Sequence, residues 1–260
     1  MSTRPSFFAP EHGAAFEDAD VVREYAFRAP YPPATFDLLA RLIDRDQPVL
    51  LDLGAGTGPI ARAMASRVTR VDAIDPSDAM LAEGRRLDGA GHRNIRWLAG
   101  RAEDVALDPP YGLATAGASL HWMDWDIVLP RLARALTNEA FFAVLGVDDR
   151  QAPWWERLVT LFQEYGVYGK TWYEFDVIAE LERRGSYTVV GRERIPMEFA
   201  QPLADYIRAL HSHSALARAR IGADRAQAFD EEVRAIVALD GGGLVRREIA
   251  ADVVWGKPLA

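Results

Sequence analysis

The sequence contains no cysteine. Disulfides, thiolate metal sites and cysteine nucleophiles are therefore excluded together, and the fold does not depend on the redox state of its compartment. Basic residues are also in deficit, since 30 Lys and Arg stand against 38 Asp and Glu, for a net charge of −8. The arginines form short pairs instead of a stripe, which argues against a nucleic-acid surface. We expect a small-molecule partner and no nucleic acid.

Long apolar runs are missing as well. The first residues, MSTRPSFFAPEHG, have no apolar core of a signal peptide, and no run approaches the length of a membrane span. We therefore expect no membrane association and a cytoplasmic location. The 260 residues, 49% of them hydrophobic, are enough for one domain with an elaboration, or for one and a half domains.

Strand-like and helical patterns alternate between about residues 49 and 145, which is typical of βαβ units around a parallel sheet. The predicted strands are Val49–Leu53, Arg70–Ile74, Ile95–Leu98, Leu113–Ala118 and Ala140–Leu145. The predicted helices between them are Pro59–Arg67, Asp78–Leu87, with Ser77 as its N-cap, and Trp125–Leu136.

After residue 150 helical patterns dominate. They cover Trp154–Tyr165, Asp176–Arg184, Leu203–His213 and Arg225–Leu239. Two strand-like runs, Tyr187–Phe199 and Leu244–Trp255, interrupt them and could pair antiparallel at the edge of the sheet. The glycines at 241–243 would form the turn into the last strand.

The stretch VLLDLGAGTGP at 49–59 carries Gly54, Gly56 and Gly58 between a strand and a helix. This is the position at which a parallel sheet binds a ligand against a helix N-terminus. A dinucleotide fingerprint needs a third small residue where Pro59 stands, which counts against NAD, and a loop without lysine is no triphosphate-binding P-loop. S-adenosylmethionine, with an adenosine end, no pyrophosphate and a charged tail that can lie over bare backbone amides, fits best. A plain connecting turn is the alternative.

Two further strand ends carry polar residues. Asp75 ends the second strand about twenty residues after the first glycine, where a carboxylate can accept both ribose hydroxyls. In LAGRAED, Ala102 and Glu103 could place a small side chain, a backbone N–H and a carboxylate around an adenine.

Several motifs occur in a familiar order: VLLDLGAGTG, IDPSDAML, GRAEDVAL and ASLHWMDW. Together they resemble the class I S-adenosylmethionine-dependent methyltransferases. The branch of similar sequence contains trans-aconitate methyltransferase and many small-molecule methyltransferases. The segment YAFRAPYPPATF resembles the Y-x-x-R-P-x-Y-P element of that branch, and the closing VVWGKP resembles its last strand.

The resemblance implies a Rossmann-like α/β fold. Its seven-stranded sheet would be mostly parallel, with one antiparallel strand near the edge and helices on both faces. Residues 1–45 would form an N-terminal helical lid, residues 46–150 the cofactor-binding core, and residues 151–260 a helical cap insertion with the last two strands. Tyr25 and Arg28, in the segment from Phe7 to Pro33, would face the cofactor.

The resemblance also assigns roles to the residues of the motifs. The methionine part would lie over Gly54, Ala55, Gly56 and Gly58, with Asp52 and Arg28 orienting its amino-acid end. Asp75 would bind the ribose, while Pro76, Met80, Ala102 and Glu103 would lie near the adenine and Ala118 would also contact the cofactor. Two departures from the family affect local turns: Tyr111-Gly112-Leu113 contains no aspartate, and Asn138-Glu139 replaces a glycine pair.

The residue best placed for catalysis is His121, directly after the fourth strand, because histidine titrates near working pH and could remove a proton from the acceptor. A structural role for His121 is equally open, and Trp122 and Trp125 would form a wall over the cofactor. The acceptor pocket would lie at the carboxyl end of the sheet, next to the lid and the cap helices. Aromatic residues that could line it, or pack in a core, are Trp154, Trp155, Phe162, Tyr165, Tyr168, Trp172, Tyr173 and Phe175.

Other motifs have weaker functional readings. His211 and His213 stand two residues apart, and such side chains point away from each other on a helix, so no metal site is expected. His12 is taken as solvated, and Arg183, Arg184, Arg246 and Arg247 as solvated surface. The letters DPPY at 108–111 occur in enzymes that methylate a flipped base, but here they precede the fourth strand and indicate a loop.

We therefore expect a methyltransferase for a small molecule, such as a natural product or a carboxylic-acid metabolite, methylated at O, N or C. The alternatives are a cofactor-binding protein with a regulatory or non-methylating role, and a nucleic-acid or protein methyltransferase. The sequence leaves open the acceptor, the methylated atom and the oligomeric state.

Overall fold

A computed structural model of the chain describes residues 8, 14–89, 91–169, 175–239 and 241–259. The predictions for Phe7, His12, Trp172 and Tyr173 lie outside the described residues. Contacts divide the chain into two compact units. The sheet unit comprises residues 31–147, 176–195 and 251–260, and the helical unit comprises residues 1–30, 148–175 and 196–250.

Seven strands form one sheet in the order β3-β2-β1-β4-β5-β7-β6. The ladders that join β3, β2, β1, β4 and β5 are all parallel. β7 is antiparallel to β6. Arg194 bonds to Asp252, and the backbone N–H of Leu259 donates to the carbonyl of Ser186, so residue numbers rise along one strand as they fall along the other. The strands are β1 Val49–Leu53, β2 Arg70–Asp75, β3 Ile95–Ala99, β4 Tyr111–Gly117, β5 Leu136–Asp148, β6 Tyr187–Pro202 and β7 Leu244–Pro258.

The predicted α/β fold with a mostly parallel sheet is confirmed. β1 is buried along its whole length, as expected for a central parallel strand covered on both faces. The start of β5 was predicted too late. Its first four residues, LTNE, are mostly polar, yet they belong to the strand, since Leu136 pairs with Tyr111 of β4. Lys257 Nζ also donates to the carbonyls of Asn138 and Ala140, both at 2.6 Å. The ladder is irregular at this point, between Tyr111 and Leu113 on β4.

The helices with predicted bounds are found to within three residues at each end, whereas Ala19–Tyr25, Pro33–Leu42 and Arg218–Ile221 had no predicted bounds. Ser77 is the N-cap of its helix, since its Oγ accepts a hydrogen bond from the Met80 N–H at 3.2 Å. The α-helices are α1 Ala19–Tyr25, α2 Pro33–Leu42, α3 Pro59–Met64, α4 Asp78–Asp88, α5 Trp125–Ala135, α6 Trp155–Tyr165, α7 Val177–Arg184, α8 Leu203–His211, α9 Arg218–Ile221 and α10 Ala223–Ile236.

The helical unit has its own apolar core, which includes Trp154, Phe162, Tyr165, Tyr206 and Phe229. Trp154 Nε1 donates to the Tyr206 hydroxyl at 3.0 Å, so the polar atom of the buried indole is satisfied. Three of the aromatic residues considered for an acceptor pocket, Trp154, Phe162 and Tyr165, therefore contribute to this core.

Two arginines predicted to be solvated are not. The side chain of Arg247 is 2% exposed, and it lies near the rings of Tyr206 and Phe199 and 3.4 Å from Asp149. Because side chains alternate along a strand, residue 247 shares the inward face of β7 with Val245 and Ile249, both fully buried. Arg184 is 20% exposed, because its guanidinium packs over the indole of Trp125.

None of the helices in the described ranges has both the length and the apolar character that crossing a membrane requires.

Candidate functional site

The ends of β1, β2 and β4 lie side by side at the carboxyl edge of the sheet, because these strands are parallel neighbours. The glycine loop, residues 54–58, follows β1. Asp75 ends β2, and the turn 118–123 that contains His121 follows β4. The fold thus brings together three segments that are far apart in the sequence.

All three loop glycines have left-handed backbone angles, with φ of +63° at Gly54, +56° at Gly56 and +72° at Gly58. Residues with a side chain rarely adopt this conformation. A Cβ on Gly54 would lie 2.4 Å from the Cβ of Ser119, and a Cβ on Gly58 would lie 2.3 Å from the indole of Trp97. Packing against the neighbouring strands therefore requires glycine at both positions.

The backbone amides of the loop are used within the protein. Ala55 donates to the carbonyl of Ile74 at 2.9 Å, Gly56 to Asp75 Oδ2 at 2.8 Å, and Gly58 to the carbonyl of Ala55 at 2.9 Å. The expectation of bare amides that face a ligand is therefore wrong for these three residues. What the loop offers instead is a glycine-rich stretch of backbone that is fixed to the end of β2.

The carboxylate of Asp75 links the glycine loop to the next helix. Its Oδ2 accepts from Gly56 and its Oδ1 accepts from the Ser77 N–H at 2.9 Å. Burial raises the pKa of this carboxyl group, and these two hydrogen bonds oppose the rise. Each carboxylate oxygen has two acceptor sites, so both oxygens can accept one further hydroxyl proton. The two backbone N–H groups thus fix the orientation of the Asp75 carboxylate.

Asp52 lies on β1 just before the loop and is 1% exposed. Its Oδ1 accepts from the Thr115 hydroxyl at 2.8 Å, while Oδ2 has no hydrogen-bond partner among the described residues. Burial raises the pKa of Asp52 to about 7, and repulsion from Asp75 adds to the rise, against the hydrogen bond from Thr115. A nearby cation, such as an ammonium or sulfonium group, would favour the ionised form.

This pKa predicts a pH dependence of stability. Because the pKa of Asp52 is about 7 in the folded chain and 3.8 in the reference state, the folded chain holds more protons between these values. The free energy of unfolding contributed by Asp52 is highest below pH 4 and falls until about pH 7. Asparagine does not titrate, so we expect the free energy of unfolding of Asp52→Asn, relative to that of wild type, to be roughly 2–3 kcal/mol higher at pH 8 than at pH 5. Urea unfolding of both proteins at pH 5 and pH 8 measures this change. The same difference in free energy of unfolding at both pH values would contradict the prediction.

The turn after β4 begins with a strained residue. Ala118 has φ of +51°, and in the described residues it is the one non-glycine residue with positive φ. Ser119 next to it is buried, and its hydroxyl donates to the carbonyl of Leu53 at 2.7 Å, which ties the turn to the end of β1. Such strain at the end of a central strand is typical of functional sites.

His121 occupies the short 3₁₀ turn Leu120–Trp122, half-buried, with its ring 4.9 Å from that of Trp122. The turn is held on its far side by Trp125, whose Nε1 donates to the carbonyl of Leu120 at 2.7 Å. Trp125 is 4% exposed, so it supports the turn from within instead of forming a wall over a ligand. The imidazole of His121 is thus presented on a well-fixed turn.

The residues assigned to the adenine lie at the ends of β2 and β3. Pro76 is exposed, and Met80 and Ala102 are buried, 2% and 7% exposed. Glu103 Oε1 accepts from the Asp124 N–H at 2.8 Å at the start of α5. Its Oε2 accepts from Arg101 Nε at 3.3 Å, so both carboxylate oxygens have partners within the protein. The contact of Glu103 with an adenine stays a prediction.

Tyr25 and Arg28 belong to the helical unit. The guanidinium of Arg28 lies over the ring of Tyr25 at 4.2 Å, and it donates to Ser212 through Nε at 2.7 Å and Nη2 at 2.9 Å. Both side chains are therefore fixed, and their contact with the cofactor stays a prediction.

The other histidine and proline motifs have structural roles. Both ring nitrogens of His211 are engaged, one with the carbonyl of Leu216 and one with Asp230, each at 2.7 Å. His213 follows the helix end and is exposed. The DPPY segment lies at the amino end of β4, where the Tyr111 hydroxyl donates to buried Asp72 at 2.7 Å.

The sequence patterns missed Trp97, Ser119 and Thr115. The ring of Trp97 fills the space next to both Gly58 and Gly84, since a Cβ on Gly58 would lie 2.3 Å and a Cβ on Gly84 2.6 Å from it. No local sequence pattern relates Trp97 to these two glycines, because they meet only in the folded chain. The two hydroxyl residues give no signal of this kind either.

A family model for a methyltransferase domain matches residues 50–139. A ubiquinone/menaquinone biosynthesis C-methyltransferase of Rubrivivax gelatinosus is 40% identical over 58 residues, 22% of each chain. An uncharacterized methyltransferase of Mycobacterium bovis is 34% identical over 110 residues, 42% of each chain. The chain thus spans less than half the length of these curated relatives.

Solved structures extend the similarity of fold to most of the chain. A proposed type II methyltransferase of Anaeromyxobacter dehalogenans superposes with a TM-score of 0.64 at 24% identity, over 89% of this chain and 99% of that one. A proposed methyltransferase from an antibiotic biosynthesis pathway of Anabaena variabilis gives 0.56 at 17% identity, over 86% and 96%. Residues 50–139 therefore match a methyltransferase-domain model, and the chain has the Rossmann-like fold of these methyltransferase structures.

Proposed function

We propose that this protein is an enzyme that transfers a methyl group from S-adenosylmethionine to an O, N or C atom of a small molecule. The observation that carries the proposal is the pairing of Asp75 with Gly56, which fixes a buried carboxylate against a loop with three glycines. A cofactor with a ribose and a flexible charged tail needs both parts. NAD has less support, because a dinucleotide-binding loop needs a third small residue at position 59, where Pro59 begins α3.

The proposed roles follow from the order of the strands. Asp75, at the end of β2, would accept the ribose hydroxyls, and Pro76, Met80 and Ala102 would surround the adenine. The tail would then cross the glycine loop at the end of β1 towards β4. Asp52, in its ionised form, would compensate the positive charge of the tail.

When bound, the cofactor would supply a methyl group on its sulfonium sulfur: the acceptor atom would bond to the methyl carbon in line as the carbon–sulfur bond breaks and S-adenosylhomocysteine leaves. The protein has to align the acceptor, exclude water and remove a proton where the acceptor carries one. His121 is proposed as the base, because its turn is fixed by Trp125 next to the end of β4. An acceptor without a removable proton would need only the alignment.

The alternative is a protein that binds the cofactor but has a regulatory or non-methylating role. Formation of S-adenosylhomocysteine in the presence of a panel of small acceptors distinguishes the two, because a binding protein gives none. Methylation of a nucleic-acid base has less support, since DPPY lies at the amino end of β4, where the sequence places Tyr111 against Asp72.

Titration calorimetry tests the cofactor. We expect S-adenosylmethionine and S-adenosylhomocysteine to bind and NADH not to bind. Asp75→Ala removes two hydrogen bonds to a charged group and should weaken both affinities by roughly 1.5–3 kcal/mol. The control is Asp78→Ala, three residues away in the first turn of α4, which should keep wild-type affinity. Binding of NADH alone, or full affinity of Asp75→Ala, would refute the proposal.

A further inference from the structure

Tyr31 lies over the last residue of β4. A Cβ on Gly117 would stand 2.7 Å from the Tyr31 hydroxyl oxygen, 3.7 Å from its Cζ and 2.7 Å from Cδ1 of Ile60. No residue with a side chain can therefore end this strand unless Tyr31 or Ile60 moves. The glycine at 117 is explained by the need to admit the phenol.

The ring of Tyr31 is held in place by its neighbours. It packs edge-on against Phe36, with ring centroids 6.3 Å apart and an interplanar angle of 72°. Phe36 belongs to α2, which begins at Pro33, and Pro32 at its N-cap restricts the backbone directly after Tyr31. The side chain is half-buried. The phenol is thus a fixed group at the carboxyl end of β4 and not a mobile surface residue.

The position of Tyr31 matches one end of the proposed cofactor. If Asp75 on β2 holds the ribose, the strand order β2-β1-β4 directs the rest of the molecule across the glycine loop to β4. The sulfonium is the cationic centre on that side. An aromatic ring attracts a cation through its π-face, and a phenol oxygen accepts weak hydrogen bonds from polarised C–H groups. Tyr31 offers both.

We propose that Tyr31 is a positioning residue that distinguishes the methylated cofactor from its demethylated product through the sulfonium and its methyl group. This inference rests on the proposed function and adds to it a residue that favours the reactive form of the cofactor.

Titration calorimetry of Tyr31→Phe with S-adenosylmethionine and S-adenosylhomocysteine tests it. We expect the affinity for S-adenosylmethionine to fall about two- to fivefold and that for S-adenosylhomocysteine to stay at the wild-type value, since the weak hydrogen bond exists only with the charged, methylated form. The readout is the ratio of the two dissociation constants. A purely structural tyrosine would lower both affinities equally and leave this ratio unchanged.

Tyr111→Phe is the matched control, because it removes the same atom at the opposite end of β4. It loses the bond to Asp72 and should lower the urea midpoint while the ratio stays constant. If wild type binds both ligands and Tyr31→Phe leaves the ratio of the two dissociation constants unchanged, this inference is wrong and the proposed function still stands. If wild type binds neither ligand, the proposed function fails, and the inference fails with it.

Discussion

Gly56→Val is expected to bind neither S-adenosylmethionine nor S-adenosylhomocysteine. Gly56 has φ of +56°, which a β-branched residue avoids at a cost of roughly 1–2 kcal/mol or more. Its N–H donates to Asp75, so a shift of the backbone at residue 56 also releases the carboxylate that should bind the ribose. The new side chain would lie where the loop must stay bare. Titration calorimetry with both ligands measures the loss.

The control for Gly56→Val is Gly89→Val. Gly89 caps α4 with φ of +60°, and a Cβ there meets no atom within 4 Å, so this variant carries a similar backbone penalty away from the loop. It should be less stable than wild type and still bind both ligands. Wild-type affinity in Gly56→Val would show that the loop is not the cofactor site. Loss of binding in both variants would show that the effect is one of stability.

His121→Ala is expected to reduce turnover by about 10²–10⁴ while cofactor affinity stays near the wild-type value. The reason is that the imidazole would remove the acceptor's proton, a step that does not affect binding of the cofactor. Formation of S-adenosylhomocysteine is followed with an acceptor identified from the panel. Affinity is followed by calorimetry on the same protein preparation.

His92→Ala serves as the matched control, because His92 bonds to Asp88 at the end of α4, in a half-buried position on another segment. Its turnover should remain close to that of wild type. If His121→Ala loses affinity and stability together with rate, the residue packs the turn and alignment is the main catalytic device. If turnover is unchanged, the assignment of a base to His121 is wrong.

The sequence by itself determined the order of strands and helices and the position of the glycine loop. These features are local: a buried run such as Val49–Leu53, a cap such as Ser77 and glycines between a strand and a helix act within a few residues. The resemblance to class I methyltransferases rested on the same short segments, and the family match and the fold confirm it. The start of β5 was harder to predict, because its pairing with Tyr111 and its contact with Lys257 involve residues distant in the sequence.

Only the tertiary structure decided how the loop is built. The fit of Trp97 against Gly58, and of Tyr31 against Gly117, depends on side chains that meet across the sheet and that no local pattern relates. Likewise, the amides of the loop looked available in the sequence but are donated to Ile74 and Asp75. The charge state of Asp52 follows from its burial. Burial and close contact arise between residues distant in sequence, so they exist only once the chain has folded.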